Sequence, residues 1–241
     1  MCRLGEPRYN NGMSIILAIE TSTELASVAL LHDQEMLVHE SSGVQTHSQS
    51  VLPMVQALLN EAGLRVQDCD VLAFGSGPGS FTGVRTACGI TQGLAFASDL
   101  PVVPVVTLLA MAQACRELHG KNDVVTLLDA RMEEVYWARY RYDESWHIVA
   151  EPALAAPESV DFAPTAAVCG NGLQAYPSAF EKHVFAQRFA DIPSPHARYI
   201  ACLAQQALAR GETVEARQAQ PLYLRNKVAL TTAERQAKLA V

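Results

Sequence analysis

Two acidic residues and one glycine-rich loop are the parts of this chain best suited to chemistry. Glu20 closes an apolar run and stands before Thr21-Ser22-Thr23; Asp129 closes a second run and stands before Arg131-Met132-Glu133. Carboxylates on opposite walls of a cleft are placed to position a metal–phosphate or to activate a hydroxyl. Taken singly, such residues are more often turn or capping residues. The loop reads Gly75-Ser76-Gly77-Pro78-Gly79-Ser80-Phe81-Thr82-Gly83, between a buried-type strand and a helix. Glycines reach positive φ and allow close backbone approach, and the loop feeds a helix N-terminus whose free N–H groups attract anions. It matches neither G-x-G-x-x-G nor G-x-x-x-x-G-K-[ST], and no lysine follows to reach a phosphate. Anion contact and plain tight packing both remain open. Glu20, Ser22, Gly77, Gly79 and Asp129 are the candidate ligand contacts.

Nucleophilic and metal chemistry find less support. The seven histidines contain no pair at i, i+4, the spacing that puts two ligands on one helical face. No G-x-S-x-G elbow occurs. The six cysteines lie far apart, without a C-x-x-C pair, several of them inside apolar runs. Such thiols behave as small hydrophobes in a reducing cytoplasm rather than as a disulfide framework or zinc site. No metal and no catalytic residue is assigned.

Composition narrows the partners. With 49% hydrophobic and 18% charged residues, the 241-residue chain is a compact globular protein. Its net charge of −7 argues against holding nucleic acid alone, because phosphate neutralisation dominates that affinity. The short basic clusters at 139–141 and 225–227 read as solvated surface. The apolar stretch 100–112 is broken by Pro101 and Pro104 and is too short to span a bilayer. Residues 1–12 lack the apolar core of a signal peptide and read as a loose extension, with Met13 an alternative start.

The elements that must position the acids and the loop follow from periodicity. Residues 15–19, 25–32 and 36–40 read as strands joined by turns too short for anything but antiparallel pairing. A helix over 48–62 carries the stripe Val51, Leu52, Val55, Leu58, Leu59 and Ala62, with Thr46 and Gln49 in capping-box form and Pro53 bending it or moving its start to about Ser50. Then come a strand at 71–74, a helix to about 97, a strand at 102–106 and a helix from 108 to 118 capped by Thr107. The order begins again with strands at 124–130, 135–142 and 146–149. Residues 152–167 are loosened by Pro and Ala, a strand ends in Gly170-Asn171-Gly172, a helix spans 195–210, and 221–224 reads as a short strand. Repetition of element order predicts a duplicated α/β fold: one lobe over 13–107, a second over 108–241, and the 195–210 helix packing back toward the first.

The outer side of helix 48–62 is nearly free of charge, as on a helix buried on two sides. Val51, Leu52, Val55, Gln56 and Leu59, with Val84, Gly89 and Gly93 on the next helix, are the expected partner surface.

Several segments together resemble the TsaB (YeaZ) family. They are Ile16-Leu17-Ala18-Ile19-Glu20-Thr21-Ser22-Thr23, His47-Ser48 before Leu52-Pro53, the loop extended to Val84-Arg85, Gly93-Leu94-Ala95, Asp129-Ala130-Arg131-Met132-Glu133-Glu134-Val135-Tyr136 and Pro221-Leu222-Tyr223-Leu224-Arg225. The match runs from about residue 15 to 228. It implies an actin-like (ASKHA, ribonuclease H-like) fold of two lobes. It also implies association with the catalytic paralogue TsaD and the ATPase TsaE, which transfer threonylcarbamoyl to the adenosine beside the tRNA anticodon. The paralogue carries a His-x-x-x-His metal pair where this chain has Thr107 and Met111, and a hydroxyl and a thioether do not replace two imidazoles. The resemblance therefore implies a non-catalytic, cytoplasmic scaffold that pairs with itself when alone and meets tRNA only through the complex. ATP or ADP would belong to the complex. An ATP-dependent carbamoyl- or phosphotransferase of the same fold is the alternative; a peptidase finds no ligands or nucleophile.

Overall fold

A computed structural model describes residues 14–42, 47–181, 187–189 and 194–225. The expected loose extension, the Thr46 cap and the tail beyond Arg225 lie outside the described residues.

The first sheet contains β1 (Ile15–Glu20), β2 (Leu25–His32), β3 (Glu35–Ser42), β4 (Val71–Gly77) and β5 (Val102–Val106) in the order β3-β2-β1-β4-β5. The first three are antiparallel, as their short turns require; β1, β4 and β5 are parallel. Side chains alternate across the sheet. Leu17, Ile19, Val28 and Leu30 face helices α1 (His47–Ala62) and α2 (Phe81–Ser98). Ile16, Ala18, Ala29 and Ala73 face the other way, where Ala197, Ala201 and Ala204 of helix α6 (Ala197–Ala209) pack on them. Alanines on both sides of that contact let the helix lie close to the sheet.

The second sheet repeats the plan. Strands β6 (Asp123–Asp129), β7 (Val135–Asp143), β8 (Ser145–Ala155), β9 (Ala167–Cys169) and β10 (Gln187–Phe189) lie in the order β10-β9-β6-β7-β8, with β6–β7–β8 antiparallel and β6, β9 and β10 parallel. The ribonuclease H-like order thus occurs twice, and the chain has the duplicated actin-like α/β fold. Helix α3 (Thr107–His119) serves both halves. Ala110 and Ala114 join the first sheet's core, while Leu108, Met111 and Cys115 pack against Val124, Leu128 and Ala138 of the second. Short helices α4 (Gly172–Ala175) and α5 (Pro177–Phe180) stand where the first half has α2, and a 3-10 turn at Pro157–Ser159 replaces α1.

Some local expectations need correction. Thr107 does not cap α3: it is the first helical residue, and its hydroxyl turns to Glu20 and the Gly77 amide instead. Helix α1 starts at His47, ahead of both expected starts, with Pro53 inside it. Strand β8 continues past Pro152 to Ala155, because the register shifts there and the free outer edge needs no donor. Residues 221–224 form no strand; one backbone bond, from the Leu222 amide to the Ser76 carbonyl (2.7 Å), holds them. Among the described residues no helix is long and apolar enough to cross a membrane.

Candidate functional site

The two hairpins that end in acidic residues face each other across the lobes, yet the two acids do different things. The Glu20 carboxyl is buried beneath the glycine loop. Its Oε1 accepts the Ser22 amide at 2.6 Å and its Oε2 accepts the Thr107 hydroxyl at 3.3 Å; the Thr107 Oγ1 in turn accepts the Gly77 amide at 3.2 Å. A Cβ at Gly75 would run into this carboxyl, so glycine there is what lets the loop close over it. Burial raises the Glu20 pKa above its ordinary value, against the opposing pull of its hydrogen bonds from Ser22 and Thr107. Glu20 is an internal tie between β1, the loop and α3.

Asp129 lines the opening between the lobes, its side chain 11% exposed. Its Oδ1 accepts the Arg131 amide (2.8 Å) and the Tyr176 hydroxyl (2.9 Å), and its backbone N–H donates to Asn171 Oδ1 (2.9 Å). The i to i+2 carboxylate–amide bond repeats that of Glu20 with Ser22, one such bond in each half.

The cavity between them has a volume of about 460 Å³. One wall is Ser22, Thr23, Gly79 and Ser80; the other is Asp129, Arg131 and Asn171. The glycine loop is stitched to the first hairpin: the Ser80 amide donates to the Ser22 carbonyl (2.7 Å), and the Thr21 hydroxyl donates to the Gly83 carbonyl (2.7 Å). A side chain at Gly79 would strike Ser22, and one at Gly83 would strike the Thr21 carbonyl. Here the glycines serve close packing. Gly77, at φ +101°, lies against the Leu222 carbonyl instead. Of the five candidate contacts the structure therefore brings Ser22, Gly79 and Asp129 together at the cavity and leaves Glu20 and Gly77 outside it.

The segment 221–225 completes the site, and sequence reasoning gave it no role there. Tyr223 and Arg225 line the cavity, whereas Leu222 lines an apolar groove of about 270 Å³ with Val106, Leu109, Tyr140 and Ile148, and Leu224 borders both. This extended stretch divides the space between the lobes. The alternation of apolar and polar residues in Leu222-Tyr223-Leu224-Arg225 was the available signal. Asn171 and Tyr176 were missed because nothing local marks them as neighbours of Asp129.

The chemistry available is limited. His47 spends its Nε2 on the Thr23 carbonyl at 2.6 Å. Among the described residues no group of three or more histidine, cysteine, aspartate or glutamate side chains is arranged to hold a metal.

A second feature lies on the far side of the first sheet, where α1 and α2 run side by side. Val51, Val55, Leu59 and Val84, expected at a partner surface, are buried in the lobe's own core. That is a correction: the apolar stripe of each helix belongs to the sheet beneath it. Leu52 (47% exposed), Gln56, Gly89 and Gly93 do face outward. Along α2, Arg85, Gly89, Gly93 and Phe96 share one face at spacings of four, four and three, and Phe96 is 83% exposed. Nothing lies within 4 Å of where a Cβ on either glycine would stand.

Residues 30–233 match the family described as "TsaD: tRNA N6-adenosine threonylcarbamoyltransferase". The chain is 41% identical to the tRNA threonylcarbamoyladenosine biosynthesis protein TsaB of Escherichia coli (strain K12), over 89% of this chain and 96% of that one. The protein of the same name from Haemophilus influenzae is 40% identical over 88% and 94%. The structure of YeaZ from Pseudomonas aeruginosa, 42% identical, superposes with a TM-score of 0.82 over 88% of this chain and 100% of that one. With the duplicated fold and the paired hairpins, these similarities establish that the chain belongs to the TsaB (YeaZ) family.

Proposed function

We propose that this protein acts in tRNA threonylcarbamoyladenosine biosynthesis as a non-catalytic scaffold, pairing with and supporting the catalytic paralogue TsaD, with the ATPase TsaE as further partner. The observation that carries this reading is the outer face of α1 and α2. Exposed Leu52 and Phe96 flank a stretch of α2 bared by Gly89 and Gly93. Bare backbone between apolar side chains suits the close approach of another helix. The same face, used twice about a twofold axis, would make the homodimer of the isolated chain. Positions 107 and 111, where the paralogue carries its metal pair, support the same reading: Thr107 bonds Glu20, and Met111 is buried against Gly170. The net charge of −7 favours tRNA contact through the complex, and the buried free thiols favour the cytoplasm.

The cavity beside Asp129, with the start of α2 on its rim, favours the alternative of an ATP-dependent carbamoyl- or phosphotransferase. One experiment separates the two. Gly89→Asp, which puts a charge into the bare stretch, is expected to weaken assembly with TsaD by tenfold or more in light scattering while the single chain melts as before. The purified chain is expected to turn over ATP negligibly and to hold no stoichiometric metal. Intact assembly, or robust turnover without partners, would overturn the scaffold reading.

A further inference from the structure

The hairpin that joins β6 to β7 holds three successive non-glycine residues in the left-handed region: Arg131 at φ +62°, Met132 at +59° and Glu133 at +63°. Side chains with a Cβ crowd the backbone there, so a run of three persists only when its surroundings over-determine it. Within the turn, Ala130 donates to the Glu134 carbonyl (3.0 Å), Glu134 donates to the Arg131 carbonyl (3.2 Å), and Arg131 donates to Asp129 Oδ1 (2.8 Å). Outside the turn, Arg131 pairs with Glu24 (3.0 Å), the Tyr176 hydroxyl meets the backbone of Glu133 and Glu134, and the Arg225 guanidinium supplies the support from segment 221–225. Arg225 Nη2 donates to the carbonyls of Ala130 (2.9 Å) and Arg131 (3.3 Å) and pairs with the Glu134 carboxylate (2.8 Å); Nη1 meets the Met132 sulfur at 3.2 Å. The planar guanidinium fixes the direction of its two Nη2 hydrogens, which the two carbonyls and the carboxylate share, and a freely rotating ammonium does not supply that set direction.

Arg225 ends the stretch that crosses between the lobes. At Leu222 that stretch is bonded to Ser76 beside the glycine loop. At Tyr223 it is bonded to α2: the Arg85 Nε donates to the Tyr223 hydroxyl at 2.7 Å, and the Arg85 guanidinium lies 3.4 Å over the Phe81 ring. Arg85 shares its helix face with Gly89, Gly93 and Phe96. A physical chain therefore leads from the outer face of α2, through Arg85 and Tyr223, to Arg225 and the wall of the cavity.

We propose that residues 221–225 are a latch that holds hairpin 130–134 in its left-handed form, and that a protein bearing on α2 shifts the latch through Arg85 and Tyr223 and so reshapes the cavity wall. Arg225 is a positioning residue, acting on the cavity through the turn it braces. Only the last step, the shift by a partner, rests on the docking role proposed for α2.

The test is residue-resolved amide hydrogen exchange on the full chain, alone and with TsaD. In Arg225→Ala the amides of Ala130, Arg131 and Glu134 are expected to exchange roughly tenfold faster or more, with β1 and α2 unchanged. Arg225→Lys should give a smaller rise. Tyr223→Phe, which removes only the hydroxyl that Arg85 meets, keeps the test open should Arg225→Ala not fold, and should speed the same three amides several-fold. Unchanged turn amides in the folded variants overturn the latch. With TsaD added, the wild type should change at 130–134 and Tyr223→Phe should not. Protection of α1 and α2 with no change at 130–134 overturns the coupling and leaves the docking role standing. No protection on α1 and α2 overturns the docking role, and the latch is then decided by the single-chain measurements.

Discussion

Glu20 and Asp129 occupy equivalent places in the two repeats, yet only one of them faces a cavity. The equivalence was legible in the sequence, since each ends the first strand of its repeat. The difference was not, because it depends on distant packing: Glu20 meets Thr107 beneath Gly75, whereas Asp129 meets Asn171 and Tyr176 at the edge of the cavity. A consequence for pH follows. The folded pKa of Glu20 is raised above its ordinary 4.5, so the stabilisation it gives is fully present below about pH 4.5 and is lost as pH rises through the folded value. Glu20→Gln keeps an acceptor for the Ser22 amide and never ionises. Denaturant titrations from pH 4 to 8 should show the variant gaining steadily on the wild type as pH rises. A constant or shrinking difference would mean that the folded carboxyl is not held back from ionising.

Helices and loops show where periodicity informs and where it misleads. The stripe of Val51, Val55 and Leu59 located α1 within a residue or two, but the same stripe supplied three of the eight residues of the expected partner surface. In an amphipathic helix the regular apolar face is taken by the lobe's own sheet. The trace of a second interface is what remains on the other face, here Leu52 and Phe96 with two glycines. Very short elements such as β10, α4 and α5 left no period to read, and the alternation in 221–225 looked like a strand because it borders two unlike cavities. Glycines can be sorted in the same way. Gly83→Ala must displace the Thr21 carbonyl and should cost about 1–3 kcal/mol. Gly93→Ala meets open space in mid-helix and should gain roughly 0.5–1 kcal/mol. Urea midpoints of the two variants moving in opposite directions would confirm the assignment; a shared direction would refute it.

At the scale of the whole molecule, the duplication was legible as repeated element order, and its two sheets have the same strand sequence. Whether the space between the repeats does chemistry is a separate matter, since fold does not fix function. Asp129→Asn keeps the Oδ1 acceptor for the Arg131 amide and the Tyr176 hydroxyl while removing the charge. Under the scaffold reading, the assembled complex carrying this variant should modify tRNA within about twofold of the wild-type rate. A loss of orders of magnitude, with assembly intact, would place Asp129 in the chemistry.

The exchange of helices between the repeats has a consequence for how the chain leaves the ribosome. The first sheet is complete at Val106, yet the helix that covers most of its second face begins only at Ala197. At roughly 5–20 residues per second, about ninety residues of synthesis take some 5–20 s. Through that interval Ile16, Ala18, Ala29, Val71 and Val103 lack their final cover. The nascent first repeat is therefore a sticky, half-clad intermediate whose maturation depends on the last helix to emerge.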